Sequence, residues 1–299
     1  MRKQLKPFAT WNSSTDMPGL HDYSKQDTAR ALQLLLELVE HLKAYKDHIV
    51  LVGGWAPYFL IEDPAGKFEP HIGSLDADLF LDFRSIPETA YETIFEILGQ
   101  EGYRQRRDRQ GKVIPASFEK VVLLVGGGSF PMRVDFLAGE YGGTAQSHRH
   151  QKVQDLLAHK ARGSDIAREQ NYTREITGQL PNRARVTVQV KIANEVAVLV
   201  MKSITMGQRT KPKDFYDLYM LVKYFKSGPC SVAGSLRPLQ GNKLVREAIA
   251  NIRRYFERFD SLGPVSVAEF FQPSDPEAWA VIQRDAFEQL QALLNELDR

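Results

Sequence analysis

The stretch "HIGSLDADLFLDF", residues 71–83, has the make-up of a buried strand and yet carries three aspartates. Side chains alternate between the two faces of a strand. Leu75, Ala77, Leu79, Leu81 and Phe83 therefore share one wholly apolar face, suited to packing on helices, while Asp76, Asp78, Phe80 and Asp82 share the other. At a rise of roughly 3.3 Å per residue, Asp76 and Asp78 lie about 7 Å apart along the backbone. Two like charges that close are costly unless something neutralises them. Solvent, a Lys or Arg, or a cation would each do so, and spacing alone leaves a half-exposed strand with solvated acids open. Asp82 reads as a solvated strand end.

Working outward, "HIVLVGG" (48–54) is a short apolar strand that ends in Gly53-Gly54, and "WAPYFLI" after it reads as a helix. Residues 64–73, with Pro64, Gly66 and Pro70, form a loop. Residues 26–47 place Leu32, Leu35, Leu36, Val39 and Leu42 at helical spacing, and 87–102 form a helix with Pro87 near its first turn. "FEKVVLLV" and "PMRVDFLAG", joined by "GGGSF", predict a hairpin. The triple glycine joins two strands and no Gly-Lys-Ser/Thr follows, so it is a turn and not a phosphate loop. On the second strand Arg133, Asp135 and Leu137 share one face and Met132, Val134 and Phe136 the other. Asp135 is thus a third acid in an apolar strand and an expected neighbour of the first two.

Residues 141–184 are polar and basic, with a helix expected near 151–162 and exposed loops around it. "RVTVQVKI" (185–192) alternates as an edge strand. The character then changes. "NEVAVLVMKSITMGQR" predicts a helix stopped by Lys211-Pro212, and "KDFYDLYMLVKYFKSG" a second, closed by Gly228-Pro229. Residues 227–243 read as a loop, and two further helices follow, the last with Ser274 as its cap and Pro276 in its first turn. The expected organisation is a mixed α/β domain over 1–192 and a helical domain over 193–299.

A hydrophobic fraction of 43% and a charged fraction of 25% are ordinary for a soluble globular protein. A single cysteine, Cys230, excludes an internal disulfide and fits a reducing compartment. The opening "MRKQLKPFATWNSS" lacks the apolar run of a signal peptide, and "VAVLVM" is far too short to span a bilayer, so a cytoplasmic protein without a membrane partner is expected. The net charge of +2 hides an asymmetry. Residues 1–100 hold 9 Lys/Arg against 15 Asp/Glu, residues 101–185 hold 15 against 9, and residues 186–299 hold 15 against 13. An acidic segment followed by a basic one suits metal binding beside polyanion binding, or two segments that neutralise each other.

A strand ending in Gly53-Gly54, then Gly73-Ser74-x-Asp76-x-Asp78 on a strand, then an apolar-Asp135-apolar strand resembles the nucleotidyltransferase fold of the DNA polymerase beta type. "VMKSITMGQRTKPKDFYDLYML" (200–221) resembles the C-terminal motif of the AbiEii/AbiGii-type nucleotidyltransferase toxins: a helical Lys202, then Arg209, then Lys213-Asp214-x-x-Asp217 at a helix start. The resemblance implies an α/β (α+β) nucleotidyltransferase-like mixed sheet domain followed by a C-terminal helical domain. It implies that Asp76, Asp78 and Asp135 hold two Mg²⁺ ions, and that Lys202 and Asp214 join them in catalysis. Lys202 and Arg209, placed with Met206 on one helix face, would bind an NTP together with Gly53, Gly54 and Ser74. Four residues before the first metal aspartate, where many members carry Arg, this chain has Ile72. His71 beside it reads as that arginine's substitute or as a surface histidine, and Asp217 as a site residue or a plain helix charge.

The implied reaction moves a nucleoside monophosphate from an NTP to an acceptor. In some members the acceptor is the 3′ end of tRNA, and the enzyme is the toxin of a toxin–antitoxin pair. "YRQRRDRQGK" (103–112), with Arg149, Lys152, Lys160 and Arg162, is the expected RNA surface or else a solvated charged loop. A small-molecule, antibiotic-type nucleotidyltransferase and a non-catalytic nucleotide-binding partner protein are the alternatives.

Overall fold

The computed structural model describes residues 19–61, 71–82, 88–124, 128–139 and 159–299. Its centre is an eight-stranded mixed sheet: β1 (Ile49–Val52), β2 (Asp76–Leu81), β3 (Arg104–Arg107), β4 (Val113–Leu123), β5 (Ser129–Ala138), β6 (His159–Lys160), β7 (Asn171–Gln179) and β8 (Arg185–Ala193). The order is β3-β4-β5-β2-β1-β8-β7, with β6 against β5. β2 lies in the middle, antiparallel to β1 and parallel to β5. A strand so placed is paired along both edges, with one face buried and the aspartate face half-buried.

Leu79, on the apolar face of β2, lines a small pocket together with Val39 of the first helix, α1 (Lys25–His41). Ser24 caps that helix by accepting from the Asp27 N–H (3.0 Å). Ala31, Leu34, Leu35, Leu36 and Leu38 are buried, and α1 packs across β5, β7 and β8. α2 (Trp55–Leu60) leaves β1 directly, with Trp55 fully buried. α3 (Glu88–Gln100) precedes the β3–β4–β5 meander.

From 195 onward the described chain is helical: α4 (Glu195–Gln208), α5 (Pro212–Tyr224), α6 (Pro229–Leu236), α7 (Lys243–Tyr255), α8 (Leu262–Phe271) and α9 (Pro276–Leu297). Asn194 caps α4 by accepting from the Ala197 N–H (3.1 Å). Pro212 opens α5, where a missing N–H costs nothing. α4 and α5 pack on α2, and α4 also meets β8. One cluster of buried apolar side chains runs from Ala31 to Leu297 through both halves.

Several expectations fail locally. The basic run at 103–112 is not a loop: it supplies β3 and its turn into β4. Residues 171–179 form β7, so the strand at 185–193 is internal, paired on both sides, and β7 takes the edge. The helix expected near 151–162 lies mostly outside the described residues, and its described end is the strand β6. Residues 229–236, read as loop, are the helix α6. Asp275, not Ser274, caps α9, accepting from the N–H groups of Glu277 (3.2 Å) and Ala278 (3.1 Å). Asp82 is not solvated but ion-paired to Arg168 (3.0 Å). No helix among the described residues is long and apolar enough to cross a membrane.

Candidate active site

The parallel pairing of β2 with β5 sets Asp76 beside Arg133 and Asp78 beside Asp135. Because register and face are both fixed by the ladder, the three carboxylates project from one side of the sheet on neighbouring strands. All three are half-buried. Burial first, and then Asp135 and Asp76, push the Asp78 carboxyl up to about 7, against the opposing pull of Lys202 and Arg209. Burial also raises Asp76, which Arg133 partly offsets. Neither carboxylate has an ion pair among the described residues.

Gly53 closes the strand β1 with φ +65°, and a β-carbon there would run into the Asp78 carboxylate. Only glycine serves at that position, both for its left-handed backbone and for the approach to Asp78. Gly54 lies against a cation: an added β-carbon would stand 2.9 Å from Lys213 Nζ and 3.2 Å from Ser74 Oγ. Ser74 is buried, and its Oγ accepts from the Asp76 N–H at 3.5 Å.

Facing the acids are α4 and α5. Lys202 Nζ lies 2.9 Å from Asp214 Oδ1 and 2.6 Å from Asp217 Oδ2; the second contact is an ion pair without hydrogen-bond alignment. Arg209 Nε donates to Asp214 Oδ2 (3.1 Å). Burial alone would raise Asp214, but Lys202 and then Arg209 hold it below the usual carboxylate range. Burial opposes the charge of Lys202 as well, yet Asp214 and Asp217 raise it above the ordinary lysine value. Lys202 is only 13% exposed and Arg209 53%, so Arg209 keeps the larger surface for a ligand. A cleft of about 390 Å³ separates the two sides, lined by Gly53, Asp78, Asp135, Lys202, Arg209 and Asp214 among others.

Corrections to the sequence reading cluster here. His71 is not a surface residue: its side chain has no exposed area, and its Nε2 meets Asp217 Oδ1 at 3.1 Å. Asp217 is not a plain helix charge: it is fully buried among His71, Lys202 and Lys213, whose Nζ is 2.7 Å away. The i, i+4, i+7 grouping breaks because α4 ends at Gln208. Arg209 has extended backbone beyond it, and Met206 is fully buried. Arg162 lines the cleft and pairs with Glu247 (2.6 Å), and Arg149 and Lys152 fall outside the described residues.

Ser117 escaped the sequence reading, and Arg106 has a role beyond the basic run 103–112 in which that reading places it. Ser117 on β4 is the register partner of Asp135 and donates from its Oγ to Asp135 Oδ1. Arg106 on β3 donates to Ser117 Oγ (3.0 Å). The signal was available, since the hairpin register from Leu123–Ser129 runs back unbroken to Ser117–Asp135.

Among the described residues no three His, Cys, Asp or Glu side chains stand as a ready-made metal cage. The donor chemistry nonetheless fits a hard divalent cation. Three carboxylates share one face, and Asp78 is driven toward protonation by burial and then by its acidic neighbours, a cost that a cation would relieve.

No family model and no curated protein matches the sequence. Among solved structures, the chain is similar to an antigenic nucleotidyltransferase-like protein from Paracoccidioides brasiliensis, at 16% identity and a TM-score of 0.40, over 79% of this chain and 89% of that chain. A likeness of that size leaves the chemistry to be read from the side chains.

Proposed function

We propose that the protein is a metal-dependent nucleotidyltransferase, which moves a nucleoside monophosphate from an NTP to an RNA acceptor, the 3′ end of a tRNA, as the toxin of a toxin–antitoxin pair. The observation that carries the reading is the register Asp78–Asp135, with Asp76 on the same face, at the mouth of a glycine turn and opposite a cationic wall. Asp76, Asp78 and Asp135 would hold Mg²⁺, which supplies charge neutralisation of the triphosphate and orientation of the entering and leaving oxygens. Gly53 and Gly54 let Asp78, Lys213 and Ser74 close in on the turn, and Arg209, steadied by Asp214, would present a guanidinium to the triphosphate. Lys202, clamped by two acids, fixes the wall from which Arg209 works.

The RNA acceptor is supported by the exposed arginines of β3 and its turn, Arg104, Arg107 and Arg109, on the strand-order side next to β4 and β5. The toxin role is supported by the resemblance of the Lys202-to-Asp217 segment to that toxin family. The test is incubation with each α-labelled NTP, Mg²⁺ and total tRNA. Label is expected in tRNA from one or more NTPs, and chelation should abolish it. Asp78→Asn should abolish it too, with a melting temperature equal to or above wild type because a like-charge repulsion is gone. Induced expression should arrest growth, and the variant should not. Label appearing on a small molecule instead would move the enzyme to the antibiotic-modifying type, and no transfer at all would overturn the reading.

A further inference from the structure

A single row of polar side chains crosses the sheet from its edge to the acids: Arg106 on β3, Ser117 on β4, Asp135 on β5 and Asp78 on β2. The sense of each bond is fixed by donor chemistry. A guanidinium can only donate, so Arg106 Nη1 occupies a lone pair of Ser117 Oγ. A serine hydroxyl has one proton, and with its oxygen engaged by Arg106 that proton goes to Asp135 Oδ1. One lone pair of Asp135 Oδ1 is therefore taken, and the other oxygen is the freer of the two for whatever the three acids hold. Neither Arg106 nor Ser117 is exposed enough to be idle: Ser117 is 1% exposed and Arg106 is the half-buried member of an otherwise exposed strand.

We infer that Ser117, oriented by Arg106, is a positioning residue that makes Asp135 a one-oxygen ligand and so biases the acid site toward Mg²⁺ over Ca²⁺. The inference rests on the cation reading of Asp76, Asp78 and Asp135. The physical ground is the difference between the two ions. Mg²⁺ is small, demands near-octahedral geometry and keeps waters, whereas Ca²⁺ accepts more oxygens and takes carboxylates bidentately. A carboxylate whose second oxygen is held by a hydroxyl suits the first and penalises the second. Hydrogen-bond partners behind a ligand commonly tune metal affinity by about 10–100-fold. Arg106 adds direction and positive charge: it is also among the groups that lower Asp76.

The test is calorimetric titration of the full chain with Mg²⁺ alone and with Ca²⁺ alone, for wild type, Ser117→Ala, Ser117→Thr and Arg106→Gln. Wild type is expected to bind Mg²⁺ more tightly than Ca²⁺. Ser117→Ala frees Asp135 Oδ1, and the Mg²⁺/Ca²⁺ preference should shrink about tenfold, mainly by gain of Ca²⁺ affinity. Ser117→Thr keeps the hydroxyl and should keep the preference, and Arg106→Gln should fall between. Equal weakening for both ions, or no change, in a Ser117→Ala protein that melts like wild type would overturn the inference while sparing the acid site. If Ser117→Ala does not fold, the Arg106→Gln preference decides, and an unchanged ratio there overturns it. Wild type binding neither ion would bring down the acid-site reading and this inference with it.

Discussion

His71 holds an imidazole with no exposed surface between two bonds of opposite sense. Its Nδ1 accepts from the Gly73 N–H (3.0 Å), so the proton of the neutral ring sits on Nε2 and points at Asp217 Oδ1. Burial lowers this histidine to about 4 from its ordinary 6.5, although Asp217 pulls the other way. A base whose folded value lies below its unfolded one is charged in the unfolded chain before it is charged in the folded one. Between pH 6.5 and 4 unfolding therefore takes up a proton, and stability falls as the pH drops through that window. The contribution is full above 6.5 and amounts to about 3 kcal/mol, at 1.36 kcal/mol per unit. His71→Gln, which can still donate to Asp217, should be less stable at pH 7.5 and lose much less on going to pH 4.5. Denaturant melts across that range check it, and parallel pH profiles for the two proteins would show that the imidazole does not carry the dependence.

The β3–β4 hairpin sorts its arginines by exposure: Arg106 is half-buried and donates to Ser117, while Arg104, Arg107 and Arg109 stay exposed. Replacing those three by Gln should weaken tRNA binding and flatten the log–log salt slope by about 2, at roughly 0.7 per phosphate contact on single strands, with NTP binding unchanged. An unaltered slope would leave them as solubilising charge on a sheet edge. The strands that bear the acids were legible because alternation in β2 and β5 follows from one covered and one half-covered face. β7, "NYTREITGQ", was not: its half-buried face carries Tyr172, Arg174, Ile176 and Gly178, so Arg174 and Gly178 interrupt the apolar alternation that would mark a strand. α6 was hidden by Gly228-Pro229, read as a stop although proline equally opens a helix. The acids and Lys202, Arg209 and Asp214 could be singled out by motif. The environment of His71 could not, because its partner Asp217 is 146 residues away in sequence.

At the scale of the molecule, the sheet half and the helical half meet at a shared buried charge. Asp217 of α5 receives His71 from the segment before β2, Lys202 from α4 and Lys213 from α5, and the Ile72 N–H donates to the Tyr216 hydroxyl (3.2 Å) beside it. Removing one member of a buried ionic cluster costs about 3–5 kcal/mol, because the others are left unneutralised. Asp217→Asn should lose stability on that scale, yet the chain should still unfold in one transition, given the continuous apolar core. Two separated transitions would show that the halves are independent. The same knot determines how the cleft can work. Swinging the walls apart would part the neutral imidazole of His71 from Asp217 and the Ile72 N–H from the Tyr216 hydroxyl, leaving buried polar groups without partners, so the aperture has a fixed gauge. Such a slot screens what enters by calibre and charge at the rim, and need not clasp its substrate; crystals grown with and without nucleotide should superimpose across the cleft.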